Sequence, residues 1–361
     1  MTATPIQFLD GGLGTSLEDE YGFRFSEATP LWSSHLLLSD RGMLKSCQRG
    51  FAQVPVDILL TATYQVSVEG FERTRSDSFP DGVPREKIHT TLDDAVAIAE
   101  EVRQPATKIA LSLGPYGAAM VPSQEYSGRY DDGHNSTDKL LRWHVDRIGL
   151  FSNIPHLDAR VDFLAFETVP RLDEIVAIRK LTSVLSSLSR DERAVSKLGR
   201  IPYWISCVFP GDDQTLPDGS SIDQAVRALL SLEHSDRLPW GIGINCSKIQ
   251  NLPRLVAEYE RSVRLLEESG RLPSRPSLLL YPDGTNGEVY DTTTQTWKTP
   301  SDQKATTKEG PWEQQLADIA IRAQGRGCWR SIVVGGCCKA NRADIARLRS
   351  QVVSKGVQEG I

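Results

Sequence analysis

Two adjacent cysteines, Cys337 and Cys338, follow a β-branched run and a glycine pair in the stretch Val333-Val334-Gly335-Gly336-Cys337-Cys338-Lys339. Residues 331–334 read as a short buried strand, and Gly335-Gly336 ends it with a turn that admits close backbone approach. Gly241-Ile242-Gly243-Ile244 runs into Asn245-Cys246-Ser247 in the same way, which predicts a third thiol just past another strand end. Three thiolates around zinc leave one of its four tetrahedral positions open, the arrangement of a catalytic rather than a structural site. A lone cysteine is more often a small buried hydrophobe, and a vicinal disulfide is strained and suited to an oxidising compartment. Neighbouring cysteines on a turn can face one ion, whereas on a strand they point to opposite faces. Spacing alone leaves a metal site and buried thiols both open.

The elements that must carry these residues follow from apolar runs. Strands are expected at residues 6–9, 57–60, 108–113, 163–166, 203–209, 240–244, 277–281 and 331–334. Helices are expected at about 41–53, 91–103, 138–153, from Asp173-Glu174 onward, 221–232, 253–269 and 342–355. Eight strands alternating mostly with helices predict a single-domain (β/α)8 barrel of the TIM type over residues 1–361. Chemistry in such barrels sits at the carboxyl ends of the strands. Asp10, Glu167, Cys246 and the Cys337-Cys338 pair all fall just beyond strand ends on this reading. An open doubly wound sheet is disfavoured, because Gly11-Gly12-Leu13-Gly14 lacks the spacing of a dinucleotide fingerprint. Residues 67–86 and 122–136 read as long loops, and 282–311 as an irregular, Thr-rich excursion on the catalytic face.

Composition narrows the function class. The 361 residues are 39% hydrophobic and carry a formal charge of −6, which allows a sizeable core and argues against a nucleic-acid partner. No apolar stretch long enough for a membrane span and no signal pattern in Met1-Thr2-Ala3-Thr4-Pro5 are visible, so a cytoplasmic protein with reduced thiols is expected. The six histidines, at 35, 89, 134, 144, 156 and 234, form no H-x-x-x-H pair, which disfavours a metal-dependent hydrolase.

Gly243-Ile244-Asn245-Cys246-Ser247 and Gly335-Gly336-Cys337-Cys338 resemble the zinc signature of the homocysteine S-methyltransferase family. The opening stretch from Leu9-Asp10-Gly11-Gly12 to Glu18 resembles that family's amino-terminal motif. Further likeness runs through Thr61-Ala62-Thr63-Tyr64-Gln65, Ser112-Leu113-Gly114-Pro115-Tyr116-Gly117-Ala118 and Phe166-Glu167-Thr168-Val169-Pro170. The resemblance implies Cys246, Cys337 and Cys338 as Zn2+ ligands. It points to Asp10, Gly11, Glu167, Thr168 and Asn245 for the substrate, with Asp10 and Glu167 on the ammonium of L-homocysteine. Backbone amides around Gly11, Gly12, Gly114 or Asn245 are candidates for its carboxylate. The implied reaction passes a methyl group from S-methylmethionine or S-adenosylmethionine to the homocysteine thiolate and gives methionine, with no catalytic side chain beyond the metal-activated thiol. Trp32, Tyr64, Tyr116 and Trp329 are candidates for an aromatic lining that receives a sulfonium.

The chain departs from the family at Lys339, where Arg is usual, at Ala340, where Thr is common, and in the longer 281–288 segment. Donor choice depends on such neighbouring loops, and betaine-using relatives share the zinc pattern. A reading of another class is a zinc-stabilised binding protein without catalysis, which requires a closed fourth ligand.

Overall fold

Side-chain parity along the strands builds this molecule. In the computed structural model, which describes residues 4–188, 197–285, 288–291, 296–298 and 310–358, Phe163, Ala165, Trp204, Leu279, Tyr281 and Val333 share one cluster with Leu9, Ile58 and Ala110. Their strand neighbours Leu164, Phe166, Tyr203, Ile205, Leu278, Leu280 and Val334 belong to the other, larger cluster beneath the helices. Alternate residues therefore fill the inside of a barrel while the others meet the helical layer, the period-two consequence of extended backbone.

The barrel strands are β1 (Ile6–Phe8), β2 (Ile58–Leu60), β3 (Lys108–Leu113), β4 (Phe163–Val169), β5 (Tyr203–Cys207), β6 (Gly241–Asn245), β7 (Ser277–Tyr281) and β10 (Ile332–Val334). They pair in parallel in the order β1-β10-β7-β6-β5-β4-β3-β2. The β1–β2 seam is held by one parallel bridge, Leu9 to Ile58, and by two carboxylates. Asp57 accepts from the Phe8 amide at 2.7 Å, and Asp10 accepts from the Leu60 amide at 2.9 Å. This is the eight-stranded parallel barrel expected of the TIM type.

The strand ends differ from the expected ones in ways that matter for the mouth. β4 continues past residue 166 to Val169 through a register irregularity, and Thr168 there has φ 58°. β5 stops at Cys207 rather than at residue 209. Among the described residues three helices longer than one turn were not anticipated: Leu13–Tyr21 after β1, Val68–Arg73 inside the first long loop, and Trp312–Gly325 before β10. The last supplies the missing helix between β7 and β10, packing Leu316, Ile319, Ala320 and Ala323 inward. The helix expected from residue 91 starts at Arg85. Much of the 282–311 excursion lies outside the described residues. Within it a two-stranded antiparallel ribbon pairs β8 (Val289–Asp291) with β9 (Thr296–Lys298). Among the described residues no helix is long and apolar enough to cross a membrane.

Candidate active site

Inward parity carried one step further sets the site. Ala110 and Ala165 point inside the barrel, so Ser112 and Glu167 do too, and Tyr281 and Asn245 complete the ring at the carboxyl end. The cavity at this mouth is lined by Asp10, Gly11, Glu167, Thr168, Asn245, Cys246, Cys337 and Cys338.

The sulfur atoms of Cys246, Cys337 and Cys338 and a carboxylate oxygen of Asp283 all lie within 4.8 Å of one another. Cys246 and Cys337 are in disulfide contact, with Cα atoms 5.5 Å apart, while the vicinal pair is not bridged. The cysteine turn is tied to the segment after β7: the Cys337 amide donates to Pro282 O at 2.8 Å, and the Gly284 amide to Cys338 O at 2.7 Å. That lacing delivers Asp283, a residue the sequence reading passed over. Its Oδ1 is buried with no hydrogen-bond partner, and burial pushes its carboxyl up to about 7. Neutral donors surround the sulfurs. Asn245 Nδ2 lies 3.3 Å from Cys246 Sγ and 4.0 Å from Cys337 Sγ, and Thr168 Oγ1 lies 3.7 Å from Cys246 Sγ. Burial, reinforced by Asp283, raises the Cys338 thiol well above its ordinary value. The donor set, three soft sulfurs and one carboxylate with an orphaned oxygen, fits a zinc-type cation.

Two carboxyls share the cavity with the cysteine sulfurs. Asp10 is 4% exposed, and its Oδ1 has no partner. Burial pushes it to about 8, against the lowering effect of the Leu60 amide and with help from Glu167. Glu167 accepts from the Ser112 hydroxyl at 2.5 Å, and burial holds it at about 7 despite Ser112, Tyr281 and Arg147. Both carboxyls sit where an ammonium group would restore their charge.

Backbone strain is concentrated here. Thr168 and Cys246, with φ 58° and 46°, both adopt left-handed backbone, which is costly for a β-branched residue and for any residue with a Cβ. Lys339, with φ 63°, follows the thiol pair, and its Nζ meets Asp19 of helix Leu13–Tyr21 at 2.8 Å. Lys339 thus anchors the cysteine turn to that helix. Glycine is required at position 12, where a Cβ would come within 2.3 Å of Cys337 O.

The aromatic lining is partly as expected. Trp32 and Tyr64 face the cavity with Phe25, Tyr126 and Tyr281. Tyr116 does not line it; its ring stacks on His134 at 3.9 Å. Trp329 is also elsewhere, its Nε1 donating to Glu260 at 3.1 Å. Gly114 does not line the cavity, and its amide is bonded to Tyr64 O at 2.9 Å. Arg147, missed from sequence, is buried and donates to the carbonyls of Gly114 and Tyr64, fixing the loops after β2 and β3.

The sequence profile of the family described as Homocysteine S-methyltransferase matches residues 7–352. The chain belongs to the homocysteine S-methyltransferase family. It is 26% identical over 357 residues to homocysteine S-methyltransferase YbgG of Bacillus subtilis, covering 95% of this chain and 93% of that protein. It is 27% identical to betaine-homocysteine S-methyltransferase of Drosophila melanogaster, covering 96% and 94%. The fold is similar to that of the homocysteine methyltransferase MmuM from Escherichia coli in its metallated form, with a TM-score of 0.66, 23% identity and 96% of each chain covered. As a member of the homocysteine S-methyltransferase family, the protein is a methyltransferase enzyme.

Proposed function

We propose that the protein transfers a methyl group from a sulfonium donor, S-methylmethionine or S-adenosylmethionine, to the thiolate of L-homocysteine, with Zn2+ held by Cys246, Cys337 and Cys338. The observation that carries this reading is the placement of three cysteine sulfurs and two buried, raised carboxyls around one cavity. The donor set fits zinc, and the metallated form of the Escherichia coli relative is in keeping with a metal. When bound, the ion supplies acidity that deprotonates a coordinated thiol at neutral pH.

The protein's own residues do the rest. Asp10 and Glu167 take the α-ammonium of homocysteine, whose charge ionises both against their burial. The carboxylate of the substrate is received at the amino end of helix Leu13–Tyr21, where Gly11, Gly12, Leu13 and Gly14 line the cavity and the first amides lack intrahelical partners. Asn245 and Thr168 direct hydrogens toward the sulfurs and stabilise negative charge there. Held in this way, the thiolate lone pair forms the new S–C bond while the donor C–S bond breaks. Its electron pair stays on the departing sulfur, which leaves as a neutral thioether. Charge is lost in the transition state, which an aromatic, partly apolar cavity favours.

Asp283 also supports a second reading, in which its carboxylate closes the metal site and the protein only binds. Residues 1–361 act as one homocysteine-binding barrel in either case. The experiment is methionine formation by the zinc-loaded protein from homocysteine and each of S-methylmethionine, S-adenosylmethionine and betaine. Turnover with a sulfonium donor supports transfer. Stoichiometric zinc with no methionine from any donor would leave the closed site.

A further inference from the structure

The cavity contains a third carboxyl, Glu125, that neither the thiols nor homocysteine employ. It lies in the loop after the short helix Tyr116–Ala119, with only 6% of its surface exposed. The loop is firmly seated. The Gln124 amide donates to Gly117 O at 2.8 Å, and a Cβ on Gly117 would meet the Glu125 amide nitrogen at 2.9 Å. Glu125 lines the cavity next to Tyr126, whose hydroxyl is 3.9 Å from Cys338 Sγ.

Charge and hydrogen bonding in the cavity are unbalanced. Among the described residues its lining holds three carboxyls, Asp10, Glu125 and Glu167, and no lysine, arginine or histidine. Glu167 accepts from the Ser112 hydroxyl and one Asp10 oxygen from the Leu60 amide, whereas Glu125 Oε2, like Asp10 Oδ1, is buried with no hydrogen-bond partner. Its own amide and Ser123 favour the ionised form, no cation does, and burial leaves the carboxyl near 7. A buried acceptor without a donor is costly, and what it lacks is an N–H or O–H. The sulfonium centre of a donor has none, and the trimethylated nitrogen of betaine has none. An amino-acid ammonium has three.

We propose that Glu125 receives the α-ammonium of the methyl donor, so that the site selects donors that are both sulfonium and amino acid. The inference rests on the methyl-transfer reading above and names the donor class within it. The chemistry favours this contact over one with the sulfonium itself. Positive charge at sulfur disappears in the transition state, and a carboxylate against it would hold the ground state back, whereas the ammonium keeps its charge throughout. Binding energy taken from that remote group can orient the methyl.

The test compares S-methylmethionine with its deaminated analogue on the full-length, zinc-loaded protein, as wild type, Glu125→Gln and Glu125→Asp. Wild type is expected to prefer S-methylmethionine by at least about tenfold in kcat/KM, in line with one charge-assisted hydrogen bond. In Glu125→Gln that preference falls to within about twofold, and the KM for homocysteine stays within about twofold of wild type. Glu125→Asp retains part of the preference. Calorimetric binding of both donors to the same variants, after circular dichroism shows them folded, makes the comparison even where turnover is slow. A Glu125→Gln protein that keeps the wild-type preference overturns the proposal. Equal losses for both donors overturn it too, by moving the contact to the sulfonium. Titration with homocysteine alone separates this from the parent reading: wild type that binds no homocysteine removes both.

Discussion

Asn245 clasps Thr168 at two points: its Oδ1 accepts the Thr168 amide at 2.8 Å, and its Nδ2 donates to Thr168 Oγ1 at 2.7 Å. The clasp joins the irregular end of β4 to the end of β6 and stands between two residues in left-handed backbone, Thr168 and Cys246. Strain of that kind persists only where surrounding bonds over-determine it. Asn245→Ala removes both bonds and leaves the Thr168 amide unsatisfied in a buried place. A loss of about 1–3 kcal/mol in unfolding free energy is expected, measured by urea denaturation. Competition with a chelator should show zinc held at least about tenfold more weakly, in line with the effect of ligand-supporting residues.

The thiols differ in what surrounds them. Cys47, Cys207 and Cys328 are buried away from the cavity, and burial pushes them to about 12, 12 and 11. Cys338→Ala and Cys246→Ala are expected to lower bound zinc to less than about half of one equivalent and to abolish methyl transfer. Cys47→Ala and Cys207→Ala should retain the metal and lose about 1 kcal/mol or more of stability from core packing. Metal analysis after gel filtration distinguishes the two groups. Full zinc content in Cys338→Ala would remove this thiol from the site.

The raised carboxyls give a pH dependence with a definite sign. Asp10 and Glu167 have folded values of about 8 and about 7, above the ordinary carboxyl range. Between about 4 and about 8 the folded state therefore binds more protons than the unfolded state, and stability falls as pH rises. In ligand-free protein, Asp10→Asn is expected to raise Tm at pH 8 by about 2 °C or more relative to wild type, and to leave it nearly unchanged at pH 5. A thermal denaturation series at both pH values checks it, and an equal effect at both would contradict the assignment.

Gly12 and the thiol turn are in backbone contact. A Cβ at position 12 would lie 2.3 Å from Cys337 O, and that carbonyl belongs to the turn carrying the ligating sulfurs. Gly12→Ala is thus expected to weaken zinc retention and raise the KM for homocysteine by about tenfold or more, since small misplacements are costly in such sites. Chelator competition and steady-state kinetics report the two effects separately.

Much of this architecture was legible because strands are short apolar runs and the barrel's alternation is regular. The spans at residues 108–113 and 277–281 agree with the observed strands. Helix Leu13–Tyr21 was obscured by its opening glycines, which read as a turn, and by having Leu17 as its only fully buried large apolar residue. Helix Trp312–Gly325 carried a usable signal in the spacing of Leu316, Ile319, Ala320 and Ala323, masked by the polar stretch before it. The three cysteines, Asp10, Gly11, Glu167, Thr168 and Asn245 came together at the mouth, whereas Gly114 and Tyr116 did not. Asp283 and Glu125 gave no comparable signal, because only the folded chain brings an ordinary acidic residue in a loop against Cys338 or seals it from water.

The carboxylate of Asp10 has two jobs at once. One oxygen fastens the Leu60 amide across the β1–β2 seam, and the other is buried without a partner beside the cavity. The ring is therefore buckled by the same group that a cationic guest would grip. Any ammonium reaching Oδ1 sharpens the charge on the carboxylate and tightens its hold on Leu60, so hydrogen exchange at that single amide becomes a gauge of occupancy read from the outside of the hoop.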